Sequence, residues 1–309
     1  MLYDAHLYHV VDGIDLFSPK FNRVPPAVNE QMFFPYSQLE DREPGDRTRV
    51  HDWLFKRSHA HILGHLDDPS KRPILAVAPI NAIKNLTGLA ECFCSNQELL
   101  ARCNLIILTN ALDLIDTINP DEVREIEKLH AIVDQYQLHG HIRWLGIRLP
   151  TRDLGEAYRA IADRQGIFVH FARFEAFGRT ILEAMISGLP TFATQFGGSL
   201  EIIQDSENGF HINPTNLDGT AQKILHFLDQ CDANPQHWHN ISDRAIKRIR
   251  EQYNWQLNTR QLLLLAKIYS FWNYVCRDSR EALLRYLEAL FHLIYKPRAE
   301  QILAEHMRR

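Results

Sequence analysis

Residues 174–185 read Phe-Glu-Ala-Phe-Gly-Arg-Thr-Ile-Leu-Glu-Ala-Met and follow an apolar run, GIFVHFA, at 166–172. A glycine where a strand turns into a helix lets backbone N–H groups approach an anion, and the helix start adds partial positive charge suited to phosphate. The stretch 174–185 therefore reads as a candidate diphosphate cradle. Glu175 precedes its glycine and Glu183 lies eight residues later. Carboxylates accept hydrogen bonds from sugar hydroxyls, so one acid can meet the group beyond the phosphates and the other a ribose diol. The same letters also describe an exposed glutamate before a loop and another on a surface helix.

Gly197-Gly198-Ser199-Leu200-Glu201 repeats this grammar after the next strand. Its plainer alternative is a turn followed by an acid favourable to the helix dipole. Lys84 opens the stretch Lys84-Asn85-Leu86-Thr87-Gly88-Leu89 after the strand at 74–78, where an ammonium can neutralise a phosphate, although a lone lysine is more often solvated. Among 16 histidines the i,i+4 pair His61 and His65 has no glutamate beside its first member, so no H-E-x-x-H zinc motif arises and no metal is expected. His170 and His211 sit in strand-like runs and read as hydrogen-bonded structural histidines. The absence of G-x-S-x-G, Walker A and G-x-G-x-x-G strings removes support for serine hydrolase, P-loop and dinucleotide-binding readings.

Positioning such loops takes strands and helices in alternation. Short apolar runs at 74–78, 104–109, 142–146, 166–172, 190–194 and 209–214 alternate with helical stretches at 85–96, 121–137, 154–164, 180–187 and 216–230. Nearly continuous apolar strands, each followed by a helix, indicate an α/β fold with a doubly wound parallel sheet, Rossmann-like, whose ligands bind outside the strand carboxyl ends. Beyond Pro235 the chain reads as helical, including 258–274 and 280–295, with apolar residues on most faces. Three segments follow: 1–70, irregular and rich in turn dipeptides; 71–255, the α/β domain; and 256–309, a helical tail.

The 309 residues carry 34 Lys+Arg against 38 Asp+Glu, with 45% hydrophobic residues. This is ordinary globular composition, without the basic footprint that nucleic acid or an anionic membrane surface requires. No apolar stretch reaches the ~20 residues that span a bilayer, and the N-terminus lacks a signal-peptide pattern. Five cysteines, an odd number widely spread, suit free thiols in a cytoplasmic protein.

The segments HVVDGIDLFSPKFN (9–22), KNLTGL (84–89), FEAFGRTILEAMISGLPTFATQFGGSLEII (174–203) and NGFHINP (208–214), with the tail YNWQLNTRQLLLLAKIYSFW and ALFHLIYKPRAE, resemble sucrose synthases. The likeness runs over nearly the whole chain. It implies a retaining glycosyltransferase of two-Rossmann-domain (GT-B) architecture. Such enzymes reversibly convert sucrose and a nucleoside diphosphate into fructose and a nucleotide-linked glucose, with no cofactor or essential metal, in the cytoplasm and typically as homo-oligomers. The resemblance makes Lys84 the phosphate-binding lysine, Glu175 the first acid of an E-x7-E motif beside the donor sugar, and Glu183 the second acid, on ribose. It places Phe177, Gly178, Arg179 and Thr180 in the loop whose amides face the donor.

Where the family has a phosphate-binding arginine, this chain has Pro79. Thr109-Asn110 replaces a glycine pair, and Arg148 and Leu154 replace the base-pocket glutamine and asparagine, leaving UDP and ADP both open. Family members are longer, so the resemblance implies that this chain is the donor half, with fructose held mainly by a first Rossmann domain. A non-catalytic remnant that binds nucleotide weakly or acts as an assembly partner is the first alternative. Sucrose-phosphate synthase or another retaining GT-B enzyme is the second.

Overall fold

The apolar runs of residues 72–212 become strands buried along almost their whole length: those at Cys103–Leu108 and Ile167–His170 show no exposed position, because helices cover both faces. The computed structural model describes residues 28–35, 37, 44–56, 58–114, 117–276 and 279–306. The segment 9–22 and the turns at Asp12-Gly13, Ser18-Pro19 and Pro25-Pro26 lie outside them, as do the side chains of Tyr274 and Cys276. The chain divides into two compact units, Met1–Trp255 and Gln256–Arg309.

In chain order the elements are α1 (Arg47–Phe55), β1 (Ile62–Leu63), β2 (Arg72–Val77), α2 (Leu86–Cys94), α3 (Gln97–Arg102), β3 (Cys103–Leu108), α4 (Pro120–Gln135) and β4 (Ile142–Leu145). They continue with α5 (Thr151–Ala162), β5 (Ile167–His170), α6 (Arg179–Ile186), β6 (Thr191–Thr194), α7 (Ser199–Ile202), β7 (Phe210–Ile212), α8 (Leu217–Ala233) and α9 (Gln236–Gln252). Then come α10 (Trp255–Cys276), α11 (Ser279–Leu290) and α12 (Lys296–His306). A five-residue π-helical turn at Phe291–Tyr295 joins α11 to α12 and takes up the end of the helix expected over 280–295.

Among the described residues seven strands form one sheet in the order β1-β4-β3-β2-β5-β6-β7. From β2 the chain winds outward through β3 and β4, then returns to the other side of β2 and winds through β5, β6 and β7. The switch point of this doubly wound sheet thus lies between β2 and β5, and ligands of such folds bind at the carboxyl ends flanking it. The expected parallel sheet fails at one edge, where β1 pairs antiparallel to β4 through Ile62↔Leu145 and Leu63↔Trp144. Two residues carry no periodicity, and their direction is decided by the path of the chain.

The described part of residues 28–70 packs into the first unit. Val28, Phe33, Val50, Leu54 and Phe55 join its core, and α1 lies against α5. The anchor is a buried ion pair on α5, Arg159 Nη2 to Glu156 Oε1 at 2.7 Å. Arg159 also donates to the Met32 carbonyl and lies over the Phe34 ring at 4.0 Å, while Glu156 accepts from the Gly45 amide. Removing one member of such a pair strands a charge inside the protein, which is why this strap is held firmly.

Cys92, Cys94, Cys103 and Cys231 are free and buried. Burial pushes the Cys92 and Cys103 thiols up to about 12, so these are packing groups with no thiolate at neutral pH. Among the described residues no helix is long and apolar enough to cross a membrane, and no cluster of three His, Cys, Asp or Glu is placed to hold a metal ion.

Candidate functional site

The loops after β2 and β5 meet over the switch point. After β2 the chain makes a turn in which Asn81 Oδ1 accepts from the Lys84 amide at 2.9 Å, and Asn85 adopts φ +54°, a left-handed conformation that asparagine tolerates. Asn110 Oδ1 holds the Ile80 amide at 3.1 Å and Asp121 Oδ2 holds Ala82 at 3.1 Å. The Arg173 amide then donates to the Ile83 carbonyl at 2.8 Å, and Asn85 Nδ2 to the Phe171 carbonyl at 3.3 Å, joining the two loops.

This frame brings Lys84 Nζ to 2.5 Å from Glu175 Oε2. On the same oxygen sits His170 Nε2, at 2.9 Å. The other oxygen, Oε1, accepts from the backbone amides of Phe177 at 3.2 Å and Gly178 at 3.0 Å. Burial works to raise the Glu175 carboxyl, but the bonds and charge of His170 and Lys84 outweigh it and hold the group far below the ordinary carboxylate range. Glu175 is therefore a fixed, ionised anion, 9% exposed. Two of the amides that the sequence pattern aims at a ligand are here bonded to the protein's own carboxylate.

Gly178 begins α6 at φ +100°, which only glycine adopts without strain, and an added Cβ would sit 2.8 Å from Ile181 Cδ1. Arg179 is exposed and Thr180 half-buried in the first turn of α6. Glu183, one turn farther, is 8% exposed and accepts from the Tyr158 hydroxyl of α5 at 3.2 Å. Burial pushes its carboxyl up to about 7, with the Arg179 charge and the Tyr158 hydrogen bond acting the other way.

Gly197 and Gly198, read from sequence as a second cradle, lie against the first. Glu175 and Gly197 form a parallel bridge, and the Gly198 amide donates to the Glu175 carbonyl at 2.7 Å. Gly197 has φ +105°, and a Cβ there would fall 2.0 Å from the Glu175 carbonyl oxygen. The pair thus spaces the loop that carries Glu175, and α7 behind it spans four residues. Arg148 stands apart: it is exposed on the loop after β4, and β3 and β2 lie between β4 and β5.

Two side chains went unnoticed in the sequence as parts of this site. In the sequence His170 reads as structural, although its place five residues before Glu175 at a strand's end is the signal that puts it within reach. Tyr158 carries no such signal, because only the packing of α5 against α6 brings it to Glu183.

Comparison with known proteins gives the family of the chain. Residues 65–248 match the family model described as Glycosyl transferases group 1, and residues 3–55 match the Sucrose synthase first GT-B domain. The chain is 57% identical over 304 residues to a sucrose synthase of Thermosynechococcus vestitus and 41% identical over 298 residues to sucrose synthase 2 of Arabidopsis thaliana, covering 98% and 96% of this chain. It spans 38% and 37% of the length of those relatives.

Among solved structures, the sucrose-phosphate synthase of Thermosynechococcus elongatus superposes with a TM-score of 0.59 at 18% identity, covering 80% of this chain and 52% of that one. Anabaena HepE in complex with UDP and glucose gives 0.52 at 19% identity over 64% of this chain and 49% of that one. At these identities the structural likeness establishes the fold alone.

Proposed function

This chain belongs to the group 1 glycosyl transferases, and we propose that it supplies the nucleotide-sugar site of a sucrose synthase-type hexosyltransferase, which reversibly transfers glucose between sucrose and a nucleoside diphosphate with retention of configuration. The observation that carries this reading is the Lys84–Glu175 pair bridging the β2 and β5 loops at the switch point, with Glu183 in the second turn of the following helix. A cation, helix-start amides and two carboxylates at the mouth of a Rossmann-like sheet match a diphosphate flanked by two sugars. The 57% identity to a sucrose synthase, and the UDP and glucose bound by the HepE neighbour, support that assignment.

In this reading Lys84 and the first-turn amides at Arg179 and Thr180 neutralise the diphosphate. Glu175 receives a glucose hydroxyl and Glu183 the ribose diol. The leaving diphosphate takes the proton of the fructose hydroxyl as the glycosidic bond forms on the same face, so the protein's main contribution is electrostatic. Neither step calls for a cofactor or metal, and nucleotide binding unchanged by a chelator is expected. UDP and ADP are both candidate nucleotides, fructose and sucrose are the partner substrates, and a cytoplasmic homo-oligomer is the expected assembly. A nucleotide-binding unit without turnover is the second reading, favoured by Pro79, which offers no donor where the sucrose synthase pattern has an arginine.

Calorimetry with UDP, ADP and their glucose conjugates tests the roles. Glu183→Ala should weaken every nucleoside diphosphate by roughly 1–3 kcal/mol, the cost of leaving sugar hydroxyl bonds to a charged acceptor unmade. Glu175→Ala should act mainly on the glucose-bearing ligands. Equal losses for both variants on all ligands would sink the assignment.

A further inference from the structure

A carboxylate has about four lone-pair positions, and on Glu175 all four are occupied, by Lys84, His170 and the amides of Phe177 and Gly178. A ligand hydroxyl can donate to it only after one of these withdraws. The two amides belong to the backbone turn that starts α6, and they stay. Between the remaining donors the structure distinguishes clearly. The Lys84 side chain is 24% exposed on a flexible four-carbon stem, whereas that of His170 is 3% exposed at the end of β5, paired through its backbone to β6. His170 Nδ1 is buried and has no hydrogen-bond partner among the described residues. The ring therefore has one polar anchor, its Nε2–H on Glu175, and no competing partner to draw it away.

We infer that His170 is the positioning residue of this site: it keeps the Glu175 carboxylate aimed and paired when Lys84 leaves it for the diphosphate of an arriving nucleotide sugar. Lys84 is the exchangeable donor and His170 the permanent one. The inference rests on the nucleotide-sugar reading above and adds to it the group that keeps Glu175 from being left as a buried, half-satisfied charge once its ammonium has moved.

The test uses the full 309-residue chain with His170→Leu, which removes the donor, and His170→Gln, which keeps an N–H of similar reach. In the ligand-free protein, hydrogen exchange at the Phe177 and Gly178 amides should accelerate several-fold in His170→Leu, because the carboxylate they bond is no longer held, and return toward the parent rate in His170→Gln. In calorimetry His170→Leu should lose about tenfold in UDP-glucose affinity while UDP changes much less, and His170→Gln should recover most of that loss. Unchanged exchange beside normal UDP and UDP-glucose binding would overturn the inference. So would equal losses on both ligands that His170→Gln fails to rescue, the mark of a merely structural histidine. A parent chain that binds neither ligand, with the amides still released in His170→Leu, would sink the nucleotide-sugar reading and leave His170's hold on Glu175 standing.

Discussion

Glu175 and Glu183 are the same residue type eight positions apart, and their surroundings drive them in opposite directions: one carboxyl is held far down by His170 and Lys84, the other is lifted by burial to about 7. Folded Glu183 keeps a proton that the unfolded chain releases near 4.5, so its contribution to stability falls as pH rises from about 4.5 to about 7, then levels off. A ribose diol needs the ionised acceptor. UDP should therefore bind roughly tenfold more tightly at pH 8 than at pH 6, the change in ionised fraction across a carboxyl midpoint near 7. Glu183→Gln should flatten that trend and raise the melting temperature at pH 8. Subtracting the variant's profile from the parent's cancels the titration of UDP itself, and a zero difference would refute the role of this proton. Pro79 offers a second test, since it is exposed on the β2 loop where a longer side chain has room. Pro79→Arg should tighten UDP by about 1.5–3 kcal/mol, or roughly 10–100-fold, if the guanidinium engages two phosphate oxygens. An unchanged dissociation constant would mean that Lys84 and the helix start suffice.

At the scale of elements, the site depends on how closely two loops pack. Gly197, at φ +105° and with the Glu175 carbonyl where a Cβ would go, sets the distance between the β5 and β6 loops. Gly197→Ala should cost about 1–3 kcal/mol in urea unfolding from backbone strain alone, more if the carbonyl cannot retreat. It should also loosen UDP-glucose, because the carbonyl that must move belongs to Glu175. A parent-like midpoint and affinity would show that the loops have slack. The helices and strands themselves were legible because their apolar residues recur with periods that a buried strand or one-sided helix demands. Between 72 and 252 the expected strands and helices fall within a few residues of those observed, for instance 142–146 against Ile142–Leu145. The short α3 between α2 and β3, and the antiparallel β1, were not legible, since six and two residues are too few to show a period.

At the scale of the whole molecule, the Gln256–Arg309 unit exposes Leu284, Leu287, Phe291, Leu293, Ile294 and Tyr295. The 309-residue chain by itself is expected to bind nucleotide yet neither cleave nor make sucrose. Holding fructose at attack distance from the anomeric carbon accounts for ~7–11 kcal/mol of a two-substrate barrier. The resemblance assigns that task to a first GT-B domain, whose model matches this chain over residues 3–55. A coupled assay for fructose release from sucrose with UDP or ADP decides the matter. Turnover abolished by Glu175→Ala would place the acceptor groups within these 309 residues.

What the sequence determined by itself was the alternation of buried strands and one-sided helices, the glycine turn before α6 and the identity of Lys84, Glu175 and Glu183 as candidates. Each follows from local chemistry: a period, a backbone conformation that favours glycine, a side chain's charge. What only the tertiary structure decided was who meets whom. Lys84 and Glu175 are 91 residues apart and touch because β2 and β5 are neighbours at the switch point. His170 meets Glu175, and Gly197 and Gly198 lie against the loop that carries it, because the β5 and β6 loops share a bridge. Glu183 acquired a carboxyl lifted to about 7 because α5 and α6 exclude water around it. Side-chain type travels with the sequence, whereas desolvation and proximity come into being when distant elements close over the same volume.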